Sequence, residues 1–101
     1  MLFGIKFKEP DKKRPVLIMT RDGAISKLNE VTVIPITSTI RNIRSQVLLT
    51  VEDGMEMDCV ANVDWIQTLP KGKLSGHVTQ ISDERLEEIL DAIRFAFGYE
   101  D

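Results

Sequence analysis

Short runs of β-branched and aliphatic residues recur along most of this chain, and turn residues separate one run from the next. Residues 2–7 alternate apolar and polar side chains, which is the period of a half-buried strand. Residues 15–20 are almost wholly apolar, as in a buried strand. Further strands are predicted at 31–36, 46–51, 58–63, 65–69 and 77–81. Pro35 implies either an edge strand or a position whose missing N–H faces no neighbour.

One amphipathic helix is predicted at the C-terminal end. Ser82 is a favourable N-cap, and Gly98 stands where a left-handed residue ends a helix. The apolar residues at helical spacing predict a stripe that packs on the sheet; they are Leu86, Ile89, Leu90, Ile93 and Phe97. Five to seven strands and one terminal helix predict a single domain over residues 1–101, an α+β, mainly β, and mostly antiparallel barrel.

The charge is divided between the two halves of the chain. Residues 1–50 contain nine Lys or Arg against four Asp or Glu, whereas residues 51–101 contain four against twelve. The net charge is −3, but screening limits the reach of a charge to about 8–10 Å, so the basic half can still attract a polyanion. Composition therefore leaves nucleic acid open as a partner, and the solvated face of the helix explains much of the acidic half.

Several classes of protein do not fit this composition. The apolar runs are far shorter than the ~20 residues that cross a bilayer, and the first residues lack the apolar stretch of a signal peptide, so we expect a soluble, cytoplasmic protein without a membrane partner. Cys59 and His77 are single residues of their types and make no disulfide or zinc set. Asp53, Glu56 and Asp58 lack the pattern of a calcium loop, so we expect a solvated turn, no metal and no cofactor.

A cation and a hydroxyl stand at the ends of two predicted strands. Arg14 directly precedes the strand 15–20, and Thr37 directly follows the strand 31–36. A sheet with these strands side by side would bring the two side chains together at its rim. A guanidinium offers a planar fork of donors to phosphate oxygens, and a hydroxyl adds a neutral donor. The residues alone leave two interpretations open, a phosphate-binding site and a solvated sheet edge.

Four segments, in this order, resemble the MazF/PemK toxins of bacterial toxin–antitoxin systems, which are endoribonucleases also called mRNA interferases. The segments are KRPVLI at 13–18, VIPITS at 33–38, DCVAN leading into WIQTLPK within 58–71, and LDAIRFAFG at 90–98. The resemblance covers most of the chain. It implies a small SH3-like antiparallel barrel with a C-terminal helix, the fold of CcdB and MazF, usually assembled as a homodimer.

The resemblance also implies a reaction. In this family the ribose 2′-hydroxyl of single-stranded RNA attacks the adjacent phosphorus without a metal, and the products carry a 2′,3′-cyclic phosphate and a 5′-hydroxyl. The catalytic arginine and threonine of the family match Arg14 and Thr37. Arg14 would stabilise the developing negative charge, and Thr37 would donate to a phosphate oxygen. Further candidates for RNA binding are Lys12, Lys13, Ser38, Thr39, Arg41, Trp65 and Gln67.

The expected partners are single-stranded RNA, a cognate antitoxin protein and a second copy of the chain. Two other functions stay open at this point, a CcdB-like gyrase poison and a catalytically inactive binding barrel. Two residues also have structural alternatives. In the first alternative, the hydroxyl of Thr37 has no catalytic role and bonds only to its own backbone. In the second, Trp65 has no role in RNA binding and packs in the core or an interface.

Overall fold

A seven-stranded sheet and a long C-terminal helix form the described part of the chain. The computed structural model describes residues 4–8, 14–20, 22–25 and 27–99. The strands are β1 (Gly4–Lys8), β2 (Pro15–Ile18), β3 (Glu30–Thr37), β4 (Gln46–Leu49), β5 (Cys59–Asn62), β6 (Gln67–Pro70) and β7 (Leu74–Gln80), and the helices are α1 (Asp22–Ile25) and α2 (Asp83–Ala96). Each predicted strand overlaps an observed one. The sixth begins late because Val63–Trp65 forms a turn of 3₁₀ helix.

All described strand pairs are antiparallel, and β3 lies at the centre. The order along the sheet is β4-β5-β3-β2-β1-β7, and β6 also pairs with β3. One edge of β3 pairs with β2, while the other edge pairs first with β6 and then with β5. The predicted α+β, mainly antiparallel, barrel-like fold with a C-terminal helix is confirmed.

Pro35 lies inside this central strand, so the first of its two predicted positions, an edge strand, is wrong. The N–H of Met19 donates to the carbonyl of Thr32, and the N–H of Thr32 donates to the hydroxyl of Thr20, so position 32 directs its backbone groups towards β2. Because backbone groups alternate along a strand, the nitrogen of position 35 faces the other edge. There β6 has ended and β5 has not begun, so proline removes no ladder hydrogen bond.

Apolar side chains are buried on both faces of β2 and β3. Leu17 and Ile34 are 0% exposed and pack with Ile89 of α2 in one cluster. A second cluster consists of Val16, Ile18, Val31, Val33 and Leu69. Successive side chains of a strand point to opposite faces. The predicted burial of the apolar run that forms β2 is therefore confirmed.

The two ends of α2 have the predicted caps. The hydroxyl of Ser82 accepts the N–H of Arg85 at 3.2 Å. At the other end Gly98 has φ of 79°, and the N–H of Tyr99 donates to the carbonyl of Arg94 at 2.8 Å. This is the hydrogen bond of a Schellman motif, in which a left-handed glycine ends the helix.

The buried face of α2 differs from the predicted stripe at one end. Ile89 is fully buried, and Leu86 and Ile93 pack against the same core. Phe97 is 65% exposed, so its predicted place in the stripe is wrong. Phe97 is the C-cap residue of α2. At this residue the backbone leaves the helix, so helical spacing no longer predicts the direction of the side chain. The small side chain of Ala92 is buried instead.

An ion pair joins α2 to the 3₁₀ turn Val51–Asp53, which follows β4. Nε of Arg85 donates to Oδ1 of Asp53 at 3.0 Å, and the N–H of Thr50 donates to Oδ2 at 2.8 Å. Burial raises the pKa of Asp53, but the hydrogen bonds from Arg85 and Thr50 outweigh burial, and the pKa lies below its usual value. The carboxylate is therefore held in its charged form.

Gly54, next in the chain, approaches β7 closely. Its φ is 95°, and a Cβ at this position would lie 2.4 Å from Oγ1 of Thr79. A side chain is therefore excluded both by the backbone conformation and by the neighbour.

We expect Asp53→Asn to lower the free energy of unfolding at pH 7 by about 1–3 kcal/mol, because a hydrogen bond between charged groups is lost. The folded-state pKa is lowered, so the wild-type contribution is complete above the unfolded value of about 3.9 and disappears as the pH falls through the folded value. Melts from pH 7 to pH 2 should converge for the two proteins at acid pH. A difference that stays constant with pH would contradict the ion pair.

We expect Gly54→Ala to destabilise the fold by about 2–4 kcal/mol, the sum of left-handed strain and a steric clash. Two matched variants separate the causes. Gly98 has positive φ but open space around it, so Gly98→Ala should cost about 1–2 kcal/mol. Gly72 has neither constraint, so Gly72→Ala should stay within about 0.5 kcal/mol. Urea unfolding measures all three, and equal effects at positions 54 and 98 would rule out the clash.

Candidate functional site

A cleft of about 870 Å³ opens where the ends of several strands meet. Its described lining comes from Arg14 and the start of β2, the end of β3, residues 55–57 with the first residue of β5, three residues between 65 and 69, and one residue of β7. We call this the β2–β3 cleft. Of the sequence-predicted site residues, it brings together Arg14, Thr37, Ser38, Trp65 and Gln67.

The register of β2 and β3 explains why Arg14 and Thr37 lie close together. Val16 pairs with Pro35, and continuing the ladder by two residues sets Arg14 opposite Thr37. Residues directly opposite in an antiparallel pair have Cβ atoms about 4.5–5.5 Å apart. Arg14 is exposed and Thr37 is half-buried. The guanidinium and the hydroxyl therefore share the rim of the cleft, and their catalytic roles stay a prediction.

The hydroxyl of Thr37 has a defined backbone contact. Its Oγ1 accepts the N–H of Thr39 at 3.2 Å, which is the bond considered as the structural alternative. The two interpretations are compatible, because a hydroxyl that accepts one hydrogen bond keeps its own proton for donation. The contact orients the oxygen at the end of the strand. Ser38 between them is exposed and lines the same cleft.

Gln46 of β4 holds the loop that follows β3. Its Oε1 accepts the N–H of Arg41 at 2.8 Å, and its Nε2 donates to the carbonyl of Thr39 at 3.3 Å. Thr39 and Arg41 are exposed beside the β2–β3 cleft but do not line it. Further along, the guanidinium carbon of Arg44 lies 4.4 Å from the ring centroid of Phe95. The loop is thus ordered by side-chain contacts at both ends.

Trp65 lies at the end of the 3₁₀ turn Val63–Trp65 and is 56% exposed, so packing in the core is wrong for it. The turn is held from two sides. Oδ1 of Asn62 accepts the N–H of Asp64 at 3.2 Å, and Oγ of Ser45 donates to Oδ2 of Asp64 at 2.6 Å. Nε2 of Gln67 donates to the carbonyl of Trp65 at 3.2 Å. Both Trp65 and Gln67 line the cleft.

The segment 55–57 is the part of the lining that sequence reasoning missed, because Glu56 was interpreted as part of a solvated turn. Thr37 pairs with Val60 of β5, so the residues just before β5 have to pass the end of β3. Cys59 is buried as expected. Burial, followed by the charges of Asp58 and Asp53, raises the pKa of its thiol. Only the pairing of β3 with β5 could have placed this segment at the cleft.

Two candidates, Lys12 and Lys13, lie outside the described residues, and their roles stay predictions. In the described ranges, no group of three or more His, Cys, Asp or Glu side chains is arranged to hold a metal ion. Neither described helix has the length and apolar character needed to cross a membrane.

Residues 4–97 match the family described as PemK-like, MazF-like toxin of type II toxin–antitoxin system. The chain belongs to this family. It is 38% identical over 90 residues, 88% of each chain, to a Mycobacterium tuberculosis protein named probable endoribonuclease MazF2. The predicted membership in the MazF/PemK family is confirmed, and the CcdB alternative is not supported.

Solved structures agree with this membership. The Mycobacterium tuberculosis toxin MazF-mt6 superimposes with a TM-score of 0.86 at 33% identity, covering 93% of this chain and 95% of that chain. A mycobacterial endoribonuclease in complex with its cognate antitoxin has the same fold, with a TM-score of 0.80 at 22% identity, covering 99% of this chain and 94% of that chain.

Proposed function

We propose that this chain is the toxin of a type II toxin–antitoxin pair and an endoribonuclease that cleaves single-stranded RNA in the β2–β3 cleft. One juxtaposition carries the proposal. Arg14 and Thr37, set side by side by the register of β2 and β3, line one cleft with the exposed indole of Trp65. Phosphate donors beside a stacking surface suit a single-stranded nucleic acid.

The proposed reaction takes its nucleophile from the substrate. The ribose 2′-oxygen loses its proton and bonds to the adjacent phosphorus, the bond from phosphorus to the 5′-oxygen breaks, and that oxygen gains a proton. The products are a 2′,3′-cyclic phosphate and a 5′-hydroxyl. The protein has to align the three reacting atoms and stabilise the additional negative charge of the transition state.

Arg14 and Thr37 supply that stabilisation in the proposal. The planar fork of Arg14 binds two phosphate oxygens, which suits it to the charge that develops on them. Thr37 donates its hydroxyl proton to a nonbridging oxygen, while its lone pair is occupied by the N–H of Thr39.

The other candidates bind the strand on either side of the scissile phosphate. Trp65 stacks on a base, and the carboxamide of Gln67 contacts a base edge. The remaining candidates contact the sugar–phosphate backbone; they are Lys12, Lys13, Ser38, Thr39 and Arg41.

The proposal includes the partners and the compartment of such a toxin. The substrate is messenger RNA in the cytoplasm, two subunits join their basic N-terminal halves into one groove, and the acidic face of α2 points away from it. The antitoxin covers the groove with an acidic segment that is disordered when free, because it competes with a polyanion for the same cations.

We expect cleavage of mixed-sequence RNA to continue at an undiminished rate in EDTA, because the nucleophile and the charge stabilisation come from the substrate and from side chains. Mass spectrometry of the products should find 2′,3′-cyclic phosphate and 5′-hydroxyl ends. A strict need for Mg²⁺, or 5′-phosphate ends, would refute the mechanism. Intact RNA under all conditions would favour an inactive binding barrel.

We expect Arg14→Ala and Thr37→Val each to reduce the cleavage rate by about 10²–10³-fold, the usual cost of one lost donor to developing charge. Thr37→Ser keeps the hydroxyl and should retain most of the rate. Arg14→Lys loses the bidentate fork and should recover only part of it. Arg94→Ala removes an exposed cation of α2 that lies outside the cleft lining and serves as the matched control.

Single-turnover rates on one RNA give these comparisons, and thermal melts show whether each variant is folded. Wild-type rates in folded Arg14→Ala and Thr37→Val would remove both residues from the mechanism.

A further inference from the structure

Glu56 is the only carboxylate among the described residues that line the β2–β3 cleft. It is exposed, and no contact in the described part of the chain neutralises it with a hydrogen bond or an ion pair. A negative charge in this place repels every phosphate of a bound strand. The mechanism above does not use it, so its presence in an RNA-binding cleft calls for a different chemical role.

The backbone around Glu56 is held in place on both sides. The preceding Met55 is 8% exposed, and its N–H donates to the carbonyl of Thr50 at 3.2 Å. Asp53 is tied to α2 through Arg85, and Cys59 is buried after it. A group that discriminates between ligands has to be held in a defined position. The backbone at Glu56 meets this condition, and the exposed side chain extends from it into the cleft lining.

The chemistry of a carboxylate selects among the four bases. Its two oxygens accept two hydrogen bonds from donors that lie side by side. The Watson–Crick edges of single-stranded RNA are exposed, and guanine presents two adjacent donors there, N1–H and N2–H₂. Adenine and cytosine place one amino group beside an acceptor nitrogen, and uracil places one N–H between two carbonyl oxygens. On this edge a carboxylate therefore accepts two hydrogen bonds from guanine, whereas each other base offers it only one donor group, which lies beside an acceptor.

We propose that Glu56 is a specificity-determining residue, which selects guanine in the bound strand by accepting hydrogen bonds from its N1–H and N2–H₂ groups. The inference rests on the proposed function, since it takes the β2–β3 cleft as the RNA site. Guanine compensates the charge of Glu56, whereas the other bases leave it uncompensated. Discrimination then comes from both attraction and repulsion.

Binding can be measured apart from cleavage with strands that lack the nucleophile. The probes are heptanucleotides of 2′-deoxyuridine whose central nucleotide is 2′-deoxyguanosine, 2′-deoxyinosine, 2′-deoxyadenosine or 2′-deoxyuridine. The uniform flanks allow the strand to shift until the central base reaches Glu56. We expect guanine to bind roughly 5- to 150-fold more tightly than uracil, the range of one bidentate base contact. Inosine lacks the amino group and should lose a large part of this advantage.

Two variants test whether the preference for guanine comes from Glu56. Glu56→Gln offers only one acceptor oxygen, so the ratio of guanine to uracil affinity should fall close to one. Asp58→Asn removes the same charge from an exposed residue two positions away that does not line the cleft. It should change the affinity for all four strands alike and leave the ratio intact.

The outcomes separate this inference from the proposed function. Equal binding of guanine and uracil by the wild type, or an unchanged ratio in Glu56→Gln, would overturn the role of Glu56 while cleavage of mixed-sequence RNA still supported the nuclease. A ratio that depends on Glu56 in a protein that cleaves no RNA would support guanine recognition and overturn the nuclease.

Discussion

Strand β3 has to satisfy backbone hydrogen bonds along both of its edges, and the rest of the structure depends on how it does so. It pairs with β2 on one side and with β6 and then β5 on the other. Its end therefore lies between the start of β2, which directly follows Arg14, and the start of β5. A shift of the register by one residue would turn every side chain of the strand to the opposite face. Burial of both faces thus sets the position of Thr37 as strongly as it sets the core.

The position of the cleft wall formed by residues 55–57 depends on contacts of the residues just before it. Arg85 of α2 holds Asp53, and Gly54 lies against Thr79 of β7 where no side chain would fit. Met55 then enters the core. None of Asp53, Gly54 and Arg85 lines the cleft. A substitution at these positions would therefore affect the β2–β3 cleft only by moving residues 55–57. If Glu56 selects the base as proposed, stability and recognition are coupled along this one segment.

Patterns confined to a few neighbouring residues were predictable, and relations between distant segments were not. The caps of α2 at Ser82 and Gly98 follow from local backbone chemistry, so the sequence sufficed for them. The prediction of an edge strand at Pro35 was wrong, because it depended on which strands flank β3. Phe97 was misplaced because helical spacing stops at the cap. Arg14 and Thr37 could be paired in advance since both end apolar runs, whereas Glu56 reaches the cleft only through the pairing of β3 with β5.

A cleft for RNA gains affinity from every cation and loses it from every carboxylate, so the two kinds of residue have different effects on selectivity. The phosphate contact proposed for Arg14 would be the same for every base and would give affinity without sequence preference. An uncompensated carboxylate lowers the affinity for all strands, but it lowers it least for the base that can donate two hydrogen bonds to it. Contacts that are common to all strands cancel in the ratio of two affinities, so this ratio depends on the contact that differs between the bases. The negative charge of Glu56 would therefore favour guanine, even though it lowers the affinity of the cleft for RNA in general.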